Sequence, residues 1–284
     1  MAAKIIDQLK KVKISGYKSI SSKKPLEIEL DNINILLGAN GSGKSNIISF
    51  FKMLNFMMSG DFQLFVEKAG TSQVFLHYGI KHTSTITGEL NFENETHINN
   101  YNFKLTHATP ERLIITSEEI VWGSKSRYQP QTIALTTNFK ESALVGNEHQ
   151  TAVVIRKILA NCKAYQFHDS SSNSPIRQSS RIESSDYLQS DGNNLASFLY
   201  FLKISYPANY HRITGYIRQI LPQFKDFYLE PNGRNYVMLK WNDKFPNDYT
   251  MLPDQFSDGS IRFIAYYFSL KRRCPMSLLL MNLN

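Results

Sequence analysis

The segment Gly38–Ser45, GANGSGKS, constrains the fold more than any other stretch of this chain. It fits the pattern GxxxxGK[ST], in which glycines let the backbone turn tightly so that its N–H groups converge on an anion. The apolar run NINILLG leads into the segment and reads as a strand. After Lys44, four apolar residues recur at helical spacing: Ile47, Phe51, Leu54 and Met58. A glycine loop between a strand and a helix predicts a phosphate-binding loop in an α/β fold.

The residue types in this loop predict a site for a nucleotide and Mg²⁺. The Lys44 ammonium is placed to reach the β- and γ-phosphates, and the Ser45 hydroxyl is placed to bind the metal ion. The positive end of the helix dipole adds to the attraction for phosphate. The predicted nucleotide contacts in the loop are Gly38, Ala39, Asn40, Gly41, Ser42, Gly43, Lys44 and Ser45.

The pattern along the chain alternates between β-rich and helical stretches. Residues from about 73 to 140 alternate apolar and polar side chains, which predicts an antiparallel meander. Helices are expected at 194–203 and 210–221, within a helical segment at about 185–222. Between these regions we expect a strand at 164–168 and a Ser-rich loop at 169–190.

Composition excludes several classes of protein and leaves others open. With 284 residues, 42% of them hydrophobic, the chain can bury the core of one large domain or of a domain with an insertion. A net charge of +8 is compatible with nucleic-acid contact and equally with an ordinary basic surface. The two cysteines, Cys162 and Cys274, indicate neither a disulfide framework nor a metal cluster. We find no secretion signal and no membrane-spanning run, and therefore expect a cytoplasmic protein without membrane contact.

Two stretches resemble a known family. They are KVKISGYKSI…IELDNINILLGANGSGKSNIISFF and, near the other end, QFSDGSIRF at residues 255–263. Both are similar to segments of ABC-type P-loop ATPases of the RecF/SMC branch, which includes bacterial "AAA family" predicted ATPases. The resemblance implies an ABC-type head at residues 1–265, with the β-rich lobe at about 73–140 and the helical segment at about 185–222. It also implies that ATP binding and hydrolysis drive pairing of two heads, in DNA-related or phage-defence processes.

The resemblance assigns further site residues. In the family, the Ser and Gly of the second motif cap the γ-phosphate of ATP bound to the opposite subunit, and these fall on Ser257 and Gly259. The physical alternative is that Ser257 is a simple helix N-cap. The segment GYKSI matches the region near adenine and ribose, which makes Tyr17 and Lys18 candidate nucleotide contacts. A tyrosine at a strand end can equally serve packing alone.

The acids that such ATPases use for hydrolysis are missing from this sequence. The family needs a strand ending in Asp-Glu, about 23 residues after Ser257 and therefore near position 280. The chain instead reads SLLLMNLN there, without a carboxylate. Codons for this tail, read one frame over, can give Ile-Ile-Asp-Glu-Pro-Glu. We therefore expect residues 266–284 to be an out-of-frame tail that truncates the head, and we assign no catalytic residue; a native, unusual C-terminus is the alternative.

Other functional classes stay open at this point. The resemblance favours an ATP-binding remnant of an ATPase, and the alternatives are a non-hydrolysing nucleotide-binding module or an inactive truncated relic. A nucleotide-binding subunit of a transporter is disfavoured by the GYKSI start and the β-rich insertion. A GTPase or a kinase would leave QFSDGS unexplained.

Overall fold

The computed structural model describes residues 7–31, 33–126, 129–162, 173–185, 187–189, 191–244, 249–270 and 277–279. Within these ranges the strands are β1 (Gln8–Ser15), β2 (Leu26–Glu29), β3 (Ile33–Ile35), β4 (Thr85–Glu93), β5 (His97–Ala108), β6 (Arg112–Ser124), β7 (Gln131–Ala134), β8 (Ser180–Arg181), β9 (Phe224–Tyr228), β10 (Tyr236–Val237), β11 (Lys240–Asp243), β12 (Thr250–Met251) and β13 (Ser277–Leu279). The helices are α1 (Lys44–Ser59), α2 (Phe62–Lys68), α3 (Gln150–Ala160), α4 (Leu195–Ser205), α5 (Pro207–Ile220) and α6 (Asp258–Leu270).

The chain divides into two compact units. The first unit contains Met1–Ala164 together with Cys274–Asn284, and the second contains Tyr165–Arg273. The division falls inside the segment 1–265 that the sequence analysis treats as one head. The glycine loop belongs to the first unit, whereas Ser257 and Gly259 belong to the second.

A six-stranded antiparallel sheet forms the main layer of the first unit, in the order β2-β1-β4-β5-β6-β7. Side chains alternate between the two faces of each strand, as the pleat requires. The predicted inward positions Ile86, Leu90 and Phe92 of β4 are buried, with at most 1% of the side chain exposed. The antiparallel meander predicted from the alternation is therefore present in the structure.

Helix α1 packs against this sheet and carries the glycine loop at its start. Its Phe51, Leu54 and Met58 are buried, as the helical spacing predicts. The Phe50 ring stacks on Phe103 of β5, with ring centroids 6.1 Å apart. This stacking depends on Gly88 of β4, because a Cβ at that position would lie 2.4 Å from the Phe103 ring. The contact between Phe50 and Phe103 thus fixes the position of α1, the helix that follows the glycine loop, on the sheet.

Two carboxylates fasten the segment that follows β7 to the rest of the first unit. Glu118, 2% exposed, accepts hydrogen bonds from the Tyr101 hydroxyl, from Ser142 Oγ at 2.6 Å and from the Ala143 N–H at 2.6 Å. Glu141 accepts from two backbone N–H groups in the first turn of α2, at 2.8 and 3.0 Å. A carboxylate at a helix N-terminus is favoured by the helix dipole.

Strands β3 and β13 form a parallel pair. Ile33 pairs with Ser277 and Ile35 with Leu279. Parallel strands need a crossover, and here α1 and the following elements lie between them in sequence. This pair, the glycine loop and α1 are the α/β part of the first unit, and the large sheet is its antiparallel addition.

The second unit has its own core. Strands β9, β11 and β12 form one antiparallel sheet, β8 pairs with β10, and Trp241 and Phe224 pack among the buried residues. The predicted loop 169–190 contains regular structure in its described part. Pro175–Arg177 forms a 3₁₀ turn, and the short strand β8 follows it. The predicted strand 164–168 lies outside the described residues. Among the helices that the structure describes, none is both long enough and apolar enough to cross a membrane.

Candidate functional site

The loop Gly38–Ser45 joins β3 to α1 and has a backbone that only glycine adopts readily. Gly41 and Gly43 have φ angles of +81° and +93°, in the left-handed region. The loop also closes on itself, because the Ser42 N–H donates to the Ala39 carbonyl at 3.2 Å. A Cβ on Gly38 would lie 2.9 Å from Ser42 Oγ. The structure thus gives a physical role to each glycine of the motif.

Lys44, the first residue of α1, lies across the loop. Its ammonium donates to the carbonyl oxygens of Gly38 at 2.5 Å and Ala39 at 2.9 Å. These two hydrogen bonds hold the positive charge of Lys44 next to the glycine loop, where it can attract a phosphate group. No acidic residue stands in the first turn of α1. The Asn46 and Ile47 N–H groups donate to the Gly43 carbonyl, at 2.9 and 3.4 Å. The positive end of the helix dipole lies at this start of α1, so the charge pattern there favours an anion.

Ser45 is exposed at the second position of α1 and presents a hydroxyl beside the loop. Within the described ranges, no three His, Cys, Asp or Glu side chains cluster as a protein-built metal site would require. Mg²⁺ commonly keeps several waters and is held jointly by phosphate oxygens and few protein ligands. A single serine hydroxyl at the loop fits that mode of binding, with the nucleotide supplying the other ligands.

Tyr17 packs inside the first unit. Its side chain is 0% exposed, its ring packs edge-on against Phe50, and its hydroxyl lies 2.8 Å from Ser49 Oγ. Burial raises the pKa of the Tyr17 hydroxyl. The Tyr17 side chain is not accessible for the nucleotide contact predicted from the sequence. It fits the alternative given above, in which a tyrosine at a strand end serves packing alone.

Lys18 is half-buried and lies beside α1. Its ammonium donates to Ser49 Oγ at 2.7 Å. Burial, and next the nearby Lys52 ammonium, hold the pKa of Lys18 below its ordinary value. Ser49 follows Ser45 by four residues, which places both hydroxyls on the same face of the helix. The contact of Lys18 with a nucleotide stays a prediction.

Ser19 contacts the glycine loop and was not predicted from the sequence. Its Oγ accepts from Asn46 Nδ2 at 2.8 Å, and it would lie 2.8 Å from a Cβ on Gly43. The segment Gly16–Ser19 therefore supports the loop from the side. No local sequence pattern predicts this contact, because it joins residues 27 positions apart in the chain.

Ser257 and Gly259 lie at the start of α6 in the second unit, and both are exposed. Ser257 Oγ accepts from the Ser260 N–H at 3.1 Å, which makes Ser257 the N-cap of the helix. The capping role is the alternative weighed from the sequence, and it keeps the first-turn N–H groups oriented together. Whether these groups meet a phosphate stays a prediction.

Arg177 organises the turn before α6. It is 5% exposed and donates to the carbonyls of Pro253 and Phe256, the latter at 3.2 Å. It also donates to Asp258 Oδ1 at 2.8 Å. This ion pair offsets the one acidic side chain in the first turn of α6, which would otherwise repel an anion there.

The end of β13 shares a sheet edge with the start of the glycine loop. The two strands are parallel and Leu279 pairs with Ile35, so both chains leave the pair at the same edge. Ligands of α/β sheets bind at the carboxyl ends of the strands. The residue next in sequence is Leu280, close to where the resemblance described above predicts an Asp. It lies outside the described residues.

Comparison with protein families gives one match. Residues 33–282 match the family described as "AAA domain, putative AbiEii toxin, Type IV TA system". The matched range contains the glycine loop, Ser257 and Gly259, and it continues across most of segment 266–284. It begins after Tyr17 and Lys18. Among curated proteins, no sequence match to the chain was found.

Proposed function

As a member of this AAA-domain family, the chain is a nucleotide-binding protein of ATPase type, and we propose that it binds ATP with Mg²⁺ in the loop Gly38–Ser45. The observation that carries the proposal is the loop itself, with two glycines at positive φ and the Lys44 ammonium held over their turn. Backbone N–H groups and a fixed positive charge are the groups that recognise phosphate in such loops.

In the bound state that we propose, Lys44, the first turn of α1 and Ser45 each make a different contact with the nucleotide or its metal ion. Lys44 exchanges the carbonyls of Gly38 and Ala39 for oxygens of the β- and γ-phosphates, which are stronger acceptors because they are charged. The first turn of α1 donates its backbone N–H groups to the phosphates. Ser45 contributes its hydroxyl to Mg²⁺, and the metal ion neutralises phosphate charge when bound.

The metal step has a direct test. Ser45→Ala should weaken MgATP binding by about tenfold and leave the binding of ATP in the presence of a chelator unchanged, because only the metal ligand is removed. Ser59→Ala, which changes an exposed serine at the last position of α1, is the matched control and should bind MgATP as the wild type does. Equal MgATP affinity in Ser45→Ala and wild type, measured by titration calorimetry, would refute the assignment of Ser45.

The finer assignment is an ABC-type mechanism of the RecF/SMC kind. In this proposal, Ser257 and Gly259 of one copy contact the γ-phosphate of ATP bound to a second copy, and ATP binding drives pairing of heads in a DNA-related or phage-defence process. The pairing of Arg177 with Asp258 supports an anion-accepting role for this helix start. Sedimentation velocity should show an ATP-dependent dimer that Ser257→Arg abolishes. A monomer with and without ATP would count against this assignment.

For hydrolysis, we propose that this chain binds ATP without cleaving it. Glu and Asp are absent from residues 266–284, the segment that the resemblance assigns to the acids and that we propose is read out of frame. Phosphate release should equal that of a Lys44→Ala control. The nucleotide sequence of codons 255–284 tests the origin of the tail: a shifted Ile-Ile-Asp-Glu-Pro-Glu supports the frameshift, and the absence of Asp-Glu in every frame overturns it.

A further inference from the structure

Three aromatic side chains of the first unit, His77, Tyr78 and His82, lie in a row close to the segment Gly16–Ser19, which contacts the glycine loop. The rings of His77 and Tyr78 have centroids 4.4 Å apart, and those of Tyr78 and His82 are 6.1 Å apart. Tyr78 is 80% exposed, the most exposed large hydrophobic side chain in the part of the chain that the structure describes. The Tyr78 ring is therefore open to solvent, and the neighbouring His77 ring is tilted by 58° from it.

The turn that carries Tyr78 is fastened to the segment Gly16–Ser19. The His77 N–H donates to the Gly16 carbonyl at 3.0 Å, and His77 Nδ1 lies 2.7 Å from the Lys18 carbonyl oxygen. Ser19, the next residue along, touches the glycine loop at Gly43 and α1 at Asn46. The turn that carries Tyr78 and the phosphate-binding loop thus both contact the segment Gly16–Ser19, the turn through His77 and the loop through Ser19.

Tyr78 also occupies a backbone position that a bulky residue normally avoids. Its φ angle is +56°, within a turn that the Gly79 N–H closes on the Leu76 carbonyl at 3.1 Å. Glycine or asparagine is expected at such a position, because a bulky L-residue is strained there. The ring contacts the rings of His77 and His82 but stays 80% exposed, so burial of the ring does not explain the strained backbone. Strained residues of this kind cluster at functional sites.

We propose that Tyr78, with His77 beside it, stacks on the base of the nucleotide whose phosphates lie in Gly38–Ser45. The inference rests on the proposed ATP binding and adds the element that recognises the base. Nucleobases stack on aromatic side chains through their flat π-faces, and such stacking tolerates any base. The base contact is therefore expected to hold ATP and GTP alike.

The test separates base binding from phosphate binding. Tyr78→Asn removes the ring and keeps a residue that accepts positive φ. It should weaken ATP binding about tenfold and change the affinity for inorganic tripolyphosphate less than twofold. Tyr78→Phe should keep wild-type affinity for ATP, because the π-face remains. Tyr187→Asn, an exposed tyrosine of the second unit, is the matched control.

Each outcome has a defined meaning. Unchanged ATP affinity in Tyr78→Asn, with binding still dependent on Lys44, overturns the stacking proposal alone. Equal losses for ATP and tripolyphosphate also overturn it, because the loop itself would then be disturbed. Failure of the wild-type protein to bind ATP would refute the proposed function and this inference with it.

Discussion

Replacing Gly43 by alanine tests whether the loop conformation seen here is the one that binds phosphate. At φ +93° an L-residue is strained by about 1–2 kcal/mol. If bound nucleotide requires this conformation, the strain lowers the fraction of competent loops, and the apparent Kd rises in proportion. Because 1.4 kcal/mol corresponds to a factor of ten, Gly43→Ala should bind ATP about 5–30-fold more weakly.

Steric crowding by the new Cβ is a second cause of the loss expected for Gly43→Ala, and its effect can be measured separately from that of the backbone strain. The new Cβ would lie 2.8 Å from Ser19 Oγ, closer than side chains tolerate. At Gly41, φ is +81° and nothing lies within 4 Å of the added atom, so Gly41→Ala carries strain alone. A double-mutant cycle between Gly43→Ala and Ser19→Ala isolates the crowding, because Ser19→Ala removes the atom that would be met.

Titration calorimetry with MgATP measures the affinities, and thermal unfolding of each variant measures stability. Both are needed, because strain that the free loop cannot relax appears as lost stability and not as lost affinity. The summed loss for Gly43→Ala should be at least that for Gly41→Ala. A Gly43→Ala protein with unchanged affinity and unchanged stability would refute the reasoning.

Three predictions concern the scaffold, each measured by urea unfolding. Glu118→Gln should lower the free energy of unfolding by about 2–3 kcal/mol, because an NH₂ group replaces one of the two oxygens that accept from Tyr101, Ser142 and Ala143 and leaves at least one of these donors facing another donor; no loss would contradict the bonding described. Glu141→Gln should cost about 1 kcal/mol by weakening the cap of α2, and the loss should shrink in high salt, so a salt-independent loss would argue against it. Gly88→Ala should cost about 1–3 kcal/mol through overlap with the Phe103 ring, whereas Gly215→Ala in α5, with open space around it, should stabilise by up to about 1 kcal/mol; losses at both positions would contradict the packing.

The sequence predicts those features that local pattern determines. The glycine loop, α1 and the inward residues of β4 follow from residue spacing within short windows, and all three are found. The predicted loop 169–190 is wrong at Ser180–Arg181, where β8 pairs with β10, more than 50 residues away. Its serine and proline content describes only local preference. The pairing partner that makes Ser180–Arg181 a strand comes from tertiary structure.

The parts of the site that the sequence does not give are contacts between distant segments. Ser19 has no motif around it, and its role follows only from its position beside Gly43. Arg177 reads as a charge in a polar stretch, yet it is buried against the turn before α6. Tyr78 reads as an ordinary aromatic residue until its positive φ and exposure are known. Each of these depends on which segments the fold brings together.

The central claim is that Gly38–Ser45 binds the phosphates of ATP through Lys44. Titration of the wild-type chain with MgATP, beside Lys44→Ala and Lys52→Ala, tests it most directly, since Lys52 is an exposed lysine on the same helix. We predict one ATP per chain, a loss of at least about tenfold for Lys44→Ala, and an affinity within about threefold of wild type for Lys52→Ala. Equal affinity in wild type and Lys44→Ala, or no binding to the wild type, would contradict the account.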